Sequence, residues 1–426
     1  MHCNTLWHSI QALVLFSFSL TSLNAQPQIE AQLRPRFEIR DGYQKLAPKG
    51  SVPAAFISQR TRLGIIWESE QFILRITPQD VRIWGDEQVS SATGVFGDKA
   101  SVELFEANVL LKLSNSARLK IGRQPLEYDN EWLLSSRNWN QQGLAYDAVV
   151  AMLNPGNWNF HLGASWNSIG SARHNNYYPP DRIKSLNYLW LEKPLTDDFK
   201  MSLLHISAGY TESVASNKMY FTHTSGFRPI YNRLNFELAS NLYYQYGKNQ
   251  RGQKISAYLM AADASWKTGA LSPGAGFSYL SGNSTTDPAS TEDNLFNLFY
   301  GARHMHLGLM DYFSNTGPDT GQGGVADHYI YFNYTPSGSI NFKNTFHLFR
   351  LAETNQNTSR SKHLGWENDL VMSYRPGEGW SAELGYCFFV PGESMKIIQS
   401  ISDNRFSQFI YLQLTVFQWF PGNKKD

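Results

Sequence analysis

Polar and apolar residues alternate with a period of two through most of the chain after Gln26. The clearest segment is NWNFHLGASWN, whose alternate positions are Trp158, Phe160, Leu162, Ala164 and Trp166. Successive side chains of a β-strand point to opposite faces of a sheet, so the pattern predicts strands with one apolar and one polar face. It recurs in RLNFELASNLYYQYG, HLGWENDLVMSY and GWSAELGYCFF, and turn-rich segments separate these strands. We therefore predict an all-β chain.

Such strands can build a soluble sandwich or barrel with apolar residues inside, or a membrane barrel with apolar residues outside. Three features favour the membrane barrel. Aromatic residues lie near the ends of apolar faces, as at a membrane interface: Trp67, Trp158, Trp166, Trp380 and Phe420. Charges occupy consecutive same-side positions, which suits a water-filled lumen, and the last strand, FIYLQLTVFQWF, ends on aromatic residues. We predict a transmembrane antiparallel β-barrel with a wet, charged lumen.

The segment EAQLRPRFEIR supports this choice because it places three arginines, Arg34, Arg36 and Arg40, on one face of a strand. The other face carries only apolar residues. An arginine on the lipid face near the bilayer midplane costs about 2–4 kcal/mol, so three would cost on the order of 10 kcal/mol. That cost is comparable with the net stability of a whole domain. These arginines are therefore expected to face the lumen, as are Arg60 and Arg62 in ISQRTRLGI.

Residues 1–25 have the character of a secretory signal peptide. The segment IQALVLFSFSL supplies an apolar core and LNA supplies a small-residue cleavage site, although no Lys or Arg precedes the core. We predict a signal peptide over residues 1–25 and a single outer-membrane β-barrel domain over residues 26–426. Loss of Cys3 with the signal would leave Cys387 alone, so neither a disulfide nor a zinc site is indicated. The net charge of +1 gives no general attraction for nucleic acid.

The charges predicted to line the lumen allow two interpretations. In the first, acids and bases pair with each other and stiffen the wall of the barrel. In the second, guanidinium groups form a constriction that attracts anions, since arginine keeps its charge and its planar fork suits carboxylates. Between Gln28 and Phe160 the acids and bases balance in number, so composition does not decide between the two.

Five segments together resemble the alginate-export family of outer-membrane β-barrels, in the branch common among Bacteroidetes-type bacteria. They are RPRFEIRDGY, SQRTRLG, QDVRIWGDE, IGRQPLEYDNEWLLSSRNW and FYGARHMHLGLMDYF. The resemblance implies a monomeric barrel of about 18 strands with an arginine-rich, mixed-charge pore that passes an anionic polyuronate across the outer membrane. In EYDNEW the chain departs from the family pattern, because Trp132 stands where an arginine is common.

The residues predicted to line the pore and the substrate path come from these segments and the arginine-rich strands beside them. They are Arg34, Arg36, Arg40, Arg60, Arg62, Arg75, Asp80, Arg82, Asp86, Glu87, Arg123, Glu127, Asp129, Glu131 and Arg137.

The predicted function is that of a passive, porin-like outer-membrane channel for an anionic oligosaccharide or polysaccharide such as alginate. Transport down a gradient needs a shaped and charged path, so we expect no cofactor and no metal. Expected partners are outer-membrane lipid, the saccharide cargo and periplasmic proteins that deliver it. One alternative is a general diffusion porin without polysaccharide preference. A second is a barrel enzyme or adhesin, although no spacing in the sequence singles out a catalytic nucleophile.

Overall fold

The computed structural model describes residues 27–86, 102–175, 177–284, 291–354 and 361–420. The predicted signal peptide lies outside these residues. The strands of the first half are β1 (Gln28–Asp41), β2 (Ala54–Glu68), β3 (Phe72–Ile83), β4 (Val102–Ser114), β5 (Ala117–Gln124), β6 (Tyr146–Leu153), β7 (Asn159–Trp166), β8 (Ser185–Pro194) and β9 (Phe199–Thr211). Those of the second half are β10 (Met219–Arg233), β11 (Phe236–Lys248), β12 (Lys254–Trp266), β13 (Leu271–Leu280), β14 (Glu292–Asp293), β15 (Val325–Ser337), β16 (Ile340–Leu351), β17 (His363–Tyr374), β18 (Trp380–Pro391) and β19 (Ser407–Phe420).

The strands form one closed barrel. Each long strand pairs antiparallel with its neighbours in sequence, and β1 closes the ring by pairing with both β2 and β19. The two-residue β14 pairs with β12 alone, so 18 strands make up the barrel wall in the described part of the chain. The prediction of an antiparallel barrel of this size is confirmed. Within the described residues, the structure contains no helix that is long and apolar enough to cross a membrane.

The period of two in the sequence corresponds to the two faces of the barrel wall. On β1, Leu33 and Phe37 are exposed on the outside, whereas Arg34, Arg36 and Glu38 are buried on the inside. On β2, Leu63 and Ile65 are exposed outside and Arg60 is buried inside. The expected orientation of these arginines follows from the cost of placing charge against lipid.

The two ends of the barrel differ in the length of their connections. Residues 69–71, 115–116, 234–235 and 338–339 form short turns at one end, which also holds both strand termini of the chain. Residues 42–53, 125–145 and 281–324 are among the long connections at the other end. We call these the short-turn end and the long-loop end. In outer-membrane barrels the short turns are periplasmic and the long loops extracellular.

Two long connections fold into the lumen. We call residues 125–145 the first inner loop and the described residues between 291 and 324 the second inner loop. Their buried apolar residues join inward-facing residues of the strands in one core, with the loop contribution being Leu126, Tyr128, Trp132, Leu133, Leu134, Phe296, Leu298, Phe299, Leu307, Met310, Tyr312 and Phe313. The charged lumen expected from the sequence therefore also contains an apolar core, which fixes both loops inside the barrel.

Candidate functional site

Arginines of β1 hold the first inner loop by its backbone carbonyl groups. Arg34 donates from Nη1 to the Asn138 carbonyl at 2.7 Å and from Nη2 to the Asn140 carbonyl at 3.0 Å. Arg36 donates to the Trp139 carbonyl at 2.8 Å, and its guanidinium carbon lies 3.9 Å from the centre of the Trp139 ring. Loop carbonyls need donors when they leave water, and these arginines supply them.

Two arginines of β2, Arg60 and Arg62, lie beside those of β1. We call Arg34, Arg36, Arg60 and Arg62 the basic wall. Arg60 donates to Gln32 Oε1 at 2.7 Å and to Asn138 Oδ1 at 3.0 Å. Arg62 donates to the Gln142 carbonyl at 3.1 Å, and its guanidinium lies 3.4 Å from the centre of the Phe105 ring. Gly143 allows this approach: its φ is +68°, and a Cβ there would lie 2.7 Å from Arg62 Nη2.

The acceptors around Arg34, Arg60 and Arg62 are all uncharged. Among the described residues, none of these three guanidinium groups makes an ion pair with a carboxylate. They lie on two adjacent strands whose register places Arg34 opposite Arg60. Their positive charges are therefore close together and are not neutralised by contact. This arrangement differs from the first interpretation of the sequence, because these three arginines hold a loop rather than pair with acids, and it is compatible with the second.

Other predicted residues on the inner face do form ion pairs. Glu38 lies between Arg36, at 2.8 Å, and Arg40, at 2.6 Å. Arg75 pairs with Glu30 at 2.8 Å and approaches Glu106 to 3.5 Å. Together these groups carry three positive and three negative charges, so they add little net field.

The structure corrects the predicted position of three residues. Asp80 and Arg82 share the outer face of β3 with Leu74 and Ile76, and they pair with each other at 2.7 Å. They lie near the long-loop end of the strand. The cost of an outward charge applies only within the apolar band of the barrel, and these residues lie beyond the apolar part of their strand.

Arg123 is the third corrected position. It shares the outer face of β5 with Ile121 and pairs with Asp147 of β6 at 2.9 Å. Both side chains are half exposed, at 45% and 60%. Arg123 therefore does not line the lumen.

The acids of the first inner loop differ in their surroundings. Asp129 accepts hydrogen bonds from Trp190 Nε1 at 3.0 Å, Ser202 Oγ at 2.5 Å and Tyr243 OH at 3.2 Å, which fastens the loop to β8, β9 and β11. Glu131 accepts a hydrogen bond from Ser135, and burial raises the pKa of its carboxyl.

The remaining predicted acids lie at loop surfaces or outside the description. Glu127 is exposed in the first inner loop. Asp86 follows β3 and is exposed at the long-loop end. Glu87 lies outside the described residues.

The two inner loops are joined to each other. Arg137 donates from Nε to the Gly301 carbonyl and from Nη2 to the Phe299 carbonyl, both at 3.1 Å, and burial lowers its pKa. The Trp139 ring stacks on His304 with centroids 3.8 Å apart, and Trp132 stacks on His306 at the same distance. Trp132, the departure from the family pattern, thus has a structural role.

The environment of His306 keeps its ring neutral near pH 7. Its Nε2 donates to the Asn130 carbonyl at 2.9 Å, and burial lowers the pKa of the ring to about 4. A neutral imidazole can lie flat against an indole inside the core without the cost of a buried charge.

Acids on β17, three strands around the barrel from β1, hold the second inner loop by its backbone N–H groups. Met310 N donates to Glu367 Oε1 at 2.8 Å, and Leu309 N donates to Asp369 Oδ2 at 3.1 Å. Gly308 has a φ of +82°, and a Cβ there would lie 2.4 Å from Glu367 Oε1. Asp327 lies beside these acids and contacts His347 Nδ1 at 2.9 Å.

Sequence reasoning missed this acidic wall. The alternation in HLGWENDLVMSY already places Glu367 and Asp369 on the face opposite Trp366 and Leu370. That pattern is a signal for inward-facing acids, but it does not show that a loop backbone would meet them.

The two loops divide the lumen into two chambers. The chamber toward the short turns has a volume of about 740 Å³, and its lining includes Arg228, Asp263, Lys343 and the second inner loop at His304–Leu309. The chamber toward the long loops has a volume of about 890 Å³ and is lined by the β11–β12 connection and by another part of the second inner loop. We call them the short-turn chamber and the long-loop chamber. Asp327 and Asp369 line the short-turn chamber, whereas the clustered arginines of β1 and β2 are part of neither chamber lining.

The profile of the family described as "Alginate export" matches residues 26–407. This chain belongs to the Alginate export family. A search of curated proteins finds no match.

Solved bacterial structures share the fold of this Alginate export member. OpdO of Pseudomonas aeruginosa matches with a TM-score of 0.62 and 12% identity over 93% of this chain and 98% of that chain. OccAB4 of Acinetobacter baumannii matches with a TM-score of 0.61, 12% identity and the same coverage. The outer membrane protein OpdK of Pseudomonas aeruginosa matches at 0.61 and 12%, over 93% of this chain and 99% of that chain. At these identities the likeness establishes the fold, and with the family it indicates an outer-membrane channel rather than an enzyme.

Proposed function

We propose that this channel conducts an anionic oligosaccharide or polysaccharide, such as alginate or a similar polyuronate, passively across the outer membrane. The observation that carries the proposal is the cluster of Arg34, Arg60 and Arg62, whose hydrogen-bond partners are neutral. Within the described residues, the guanidinium of Arg137 in the first inner loop likewise donates only to carbonyl groups. Positively charged groups along an aqueous pore favour anions.

The strength of this preference depends on distance and on water. A unit charge about 10 Å away contributes about 0.4 kcal/mol in bulk water and about 1.7 kcal/mol at an effective dielectric constant of about 20. Three arginines acting together would therefore favour a monovalent anion by about 1 kcal/mol or more. A polyuronate carries one carboxylate on each sugar, so the effect repeats along the chain. Asp327, Glu367 and Asp369, on β15 and β17, face the same lumen and reduce this field.

The reversal potential of the purified protein in a planar bilayer under a salt gradient tests the proposal. We expect anion selectivity, and we expect added polyuronate to block the current. Arg62→Gln should reduce the selectivity, because Arg62 is the least buried of the three clustered arginines. Arg123→Gln is the matched control, since it removes a guanidinium from the outer face and should leave selectivity unchanged. Cation selectivity without block would refute the proposal.

A general diffusion porin is the second candidate, and one observation favours it. Arg34 and Arg60 are only 4% and 1% exposed, so their direct contacts are with the loop rather than with a solute. If their field is too weak to matter, the same experiment gives weak selectivity and no block by polyuronate. For the saccharide channel we expect a monomer that receives its cargo from periplasmic proteins.

A barrel hydrolase is less well supported. The outer face does carry a Ser–His pair, in which His205 Nδ1 and Ser225 Oγ lie 2.8 Å apart. Among the described residues, His205 has no carboxylate or amide partner that would orient it as a base. Both residues also lie within the paired β9–β10 ladder, where the backbone N–H groups are engaged by strand pairing rather than gathered into an oxyanion site.

A further inference from the structure

The long-loop chamber is lined mainly by uncharged polar side chains. Nine of its lining residues carry a side-chain amide: Gln245, Asn249, Gln250, Gln253, Asn283, Asn294, Asn297, Asn315 and Gln322. Its volume of about 890 Å³ lies within the range of about 300–1,000 Å³ that is usual for pockets enclosing small ligands. The chamber therefore has the size and the chemistry of a site for a polar, hydroxyl-bearing solute.

Some of these amides fix the wall of the chamber. Gln245 and the backbone of Asn297 form a double hydrogen bond, with Nε2 donating to the carbonyl at 2.7 Å and the amide N–H donating to Oε1 at 2.8 Å. Asp293 accepts hydrogen bonds from Asn249 at 2.9 Å and from Asn283 at 3.0 Å. These bonds hold the second inner loop against β11 and β12, so the wall is ordered without a ligand.

Other amides make no hydrogen bond through their side chains to any described residue. They are Gln250, Asn294, Asn315 and Gln322. Each offers one carbonyl oxygen and one NH₂ group, and this pairing of acceptor and donor suits the hydroxyl groups of a sugar. Unused amides on a preformed wall can bind hydroxyls without first breaking internal hydrogen bonds.

The charges that line the chamber balance in number, since Arg251 and Arg303 stand against Glu292 and Asp293. Glu292 pairs with Lys254 at 2.5 Å, and Asp293 is engaged by the two asparagines. Arg303, on the second inner loop, donates to the Phe299 carbonyl, and burial lowers its pKa to about 10. A neutral sugar and an acidic sugar can therefore both enter.

We propose that the long-loop chamber is a subsite that binds the hydroxyl groups of a saccharide segment irrespective of its charge. The inference rests on the proposed function, because it takes the cargo to be a saccharide. Recognition of charge and recognition of hydroxyl groups are then separated in space. The basic wall discriminates solutes by charge, and the long-loop chamber discriminates sugars from simple carboxylates.

The test uses a neutral trisaccharide of glucose, maltotriose, added to single channels in a planar bilayer. Maltotriose should produce transient current blocks. The blocks should be stronger when maltotriose is added on the side of the long loops than on the side of the short turns. The double variant Asn315→Ala/Gln322→Ala should weaken its binding at least about 5-fold, since it removes two sets of amide–hydroxyl hydrogen bonds. The matched control is Asn232→Ala/Asn235→Ala, which removes two amides from the short-turn chamber and should leave the blocks unchanged.

The outcomes separate this inference from the proposed function. Absence of maltotriose blocks, or equal weakening by the two double variants, would overturn the subsite even if the channel is anion-selective. Maltotriose blocks that Asn315→Ala/Gln322→Ala weakens would support the subsite even if the reversal potential shows no anion preference. Current block by glutarate, a dicarboxylate without hydroxyl groups, should be weakened by Arg62→Gln and unchanged by Asn315→Ala/Gln322→Ala. Weakening by Asn315→Ala/Gln322→Ala alone would also overturn the inference.

Discussion

Replacement of Arg34 by alanine is expected to release the first inner loop from the wall of the barrel. Arg34 makes three hydrogen bonds of 3.0 Å or less to this loop, to Asn138, Asn140 and Gln141. Hydrogen bonds from a charged donor contribute about 1.5–3 kcal/mol each, which gives a gross loss of about 4–9 kcal/mol.

The net effect on the loop will be smaller for two reasons. Removing a buried guanidinium recovers the cost of taking its charge out of water. Arg36 and Arg62 still hold the carbonyls of Trp139 and Gln142. We therefore expect a net loss of about 3 kcal/mol, which raises the population of released loop on the order of 100-fold.

Single-channel recording measures this release. A loop that leaves the lumen widens the path, so the Arg34→Ala channel should show a higher mean conductance or more frequent transitions to a larger conductance level. Arg75→Ala is the matched control, because Arg75 also faces the lumen but pairs with Glu30 and Glu106 rather than with the loop. A folded Arg34→Ala barrel with unchanged conductance and current noise would refute the reasoning.

Two further predictions concern the second inner loop. Gly308→Ala should destabilise the docked loop by about 1–3 kcal/mol and so raise conductance, because Gly308 has a φ of +82° and a Cβ there would meet Glu367. Conductance identical to that of the unmodified channel would contradict this. Acidification should weaken the docking of the second inner loop at His306. The pKa of His306 is about 4 in the docked loop and 6.5 in a free histidine, so the undocked loop binds more protons between these two values. The stability of the docked loop therefore falls as pH drops through this window. Once His306 is protonated in both states, the docked loop has lost about 3 kcal/mol of stability. Conductance recorded from pH 7 to pH 4 should therefore rise in the unmodified channel and not in His306→Asn. A pH response that persists in His306→Asn would belong to another group. Asp319 is one such group, and its raised pKa of about 6 acts in the opposite direction.

The faces of the strands could be predicted from the sequence because the period of two and the cost of charge against lipid point to the same answer. This held for Arg34 and Arg60, which lie inside the apolar band. It failed for Asp80, Arg82 and Arg123, because those strands extend past the band, and an outward charge there meets no hydrocarbon.

The inward path of the loops could not be predicted in the same way. A turn-rich segment has no period that fixes its direction, and the partners of Arg34 lie more than 100 positions away in sequence. One local signal was present: Trp132, Leu133 and Leu134 form an apolar run within a connection that would otherwise be expected to meet water. Such a run indicates burial, and in a barrel the lumen is where a loop can be buried without meeting lipid.

The inner loops also explain how the lumen keeps charges of both signs. The basic wall engages carbonyl groups of one loop, and the acidic wall engages N–H groups of the other. If the two walls met directly, their side chains would pair and their fields would largely cancel. A peptide backbone placed between them satisfies both sets of side chains without neutralising either. The structural and functional interpretations of the arginines are therefore compatible, because a guanidinium held by a carbonyl is fixed in position without being neutralised by a carboxylate.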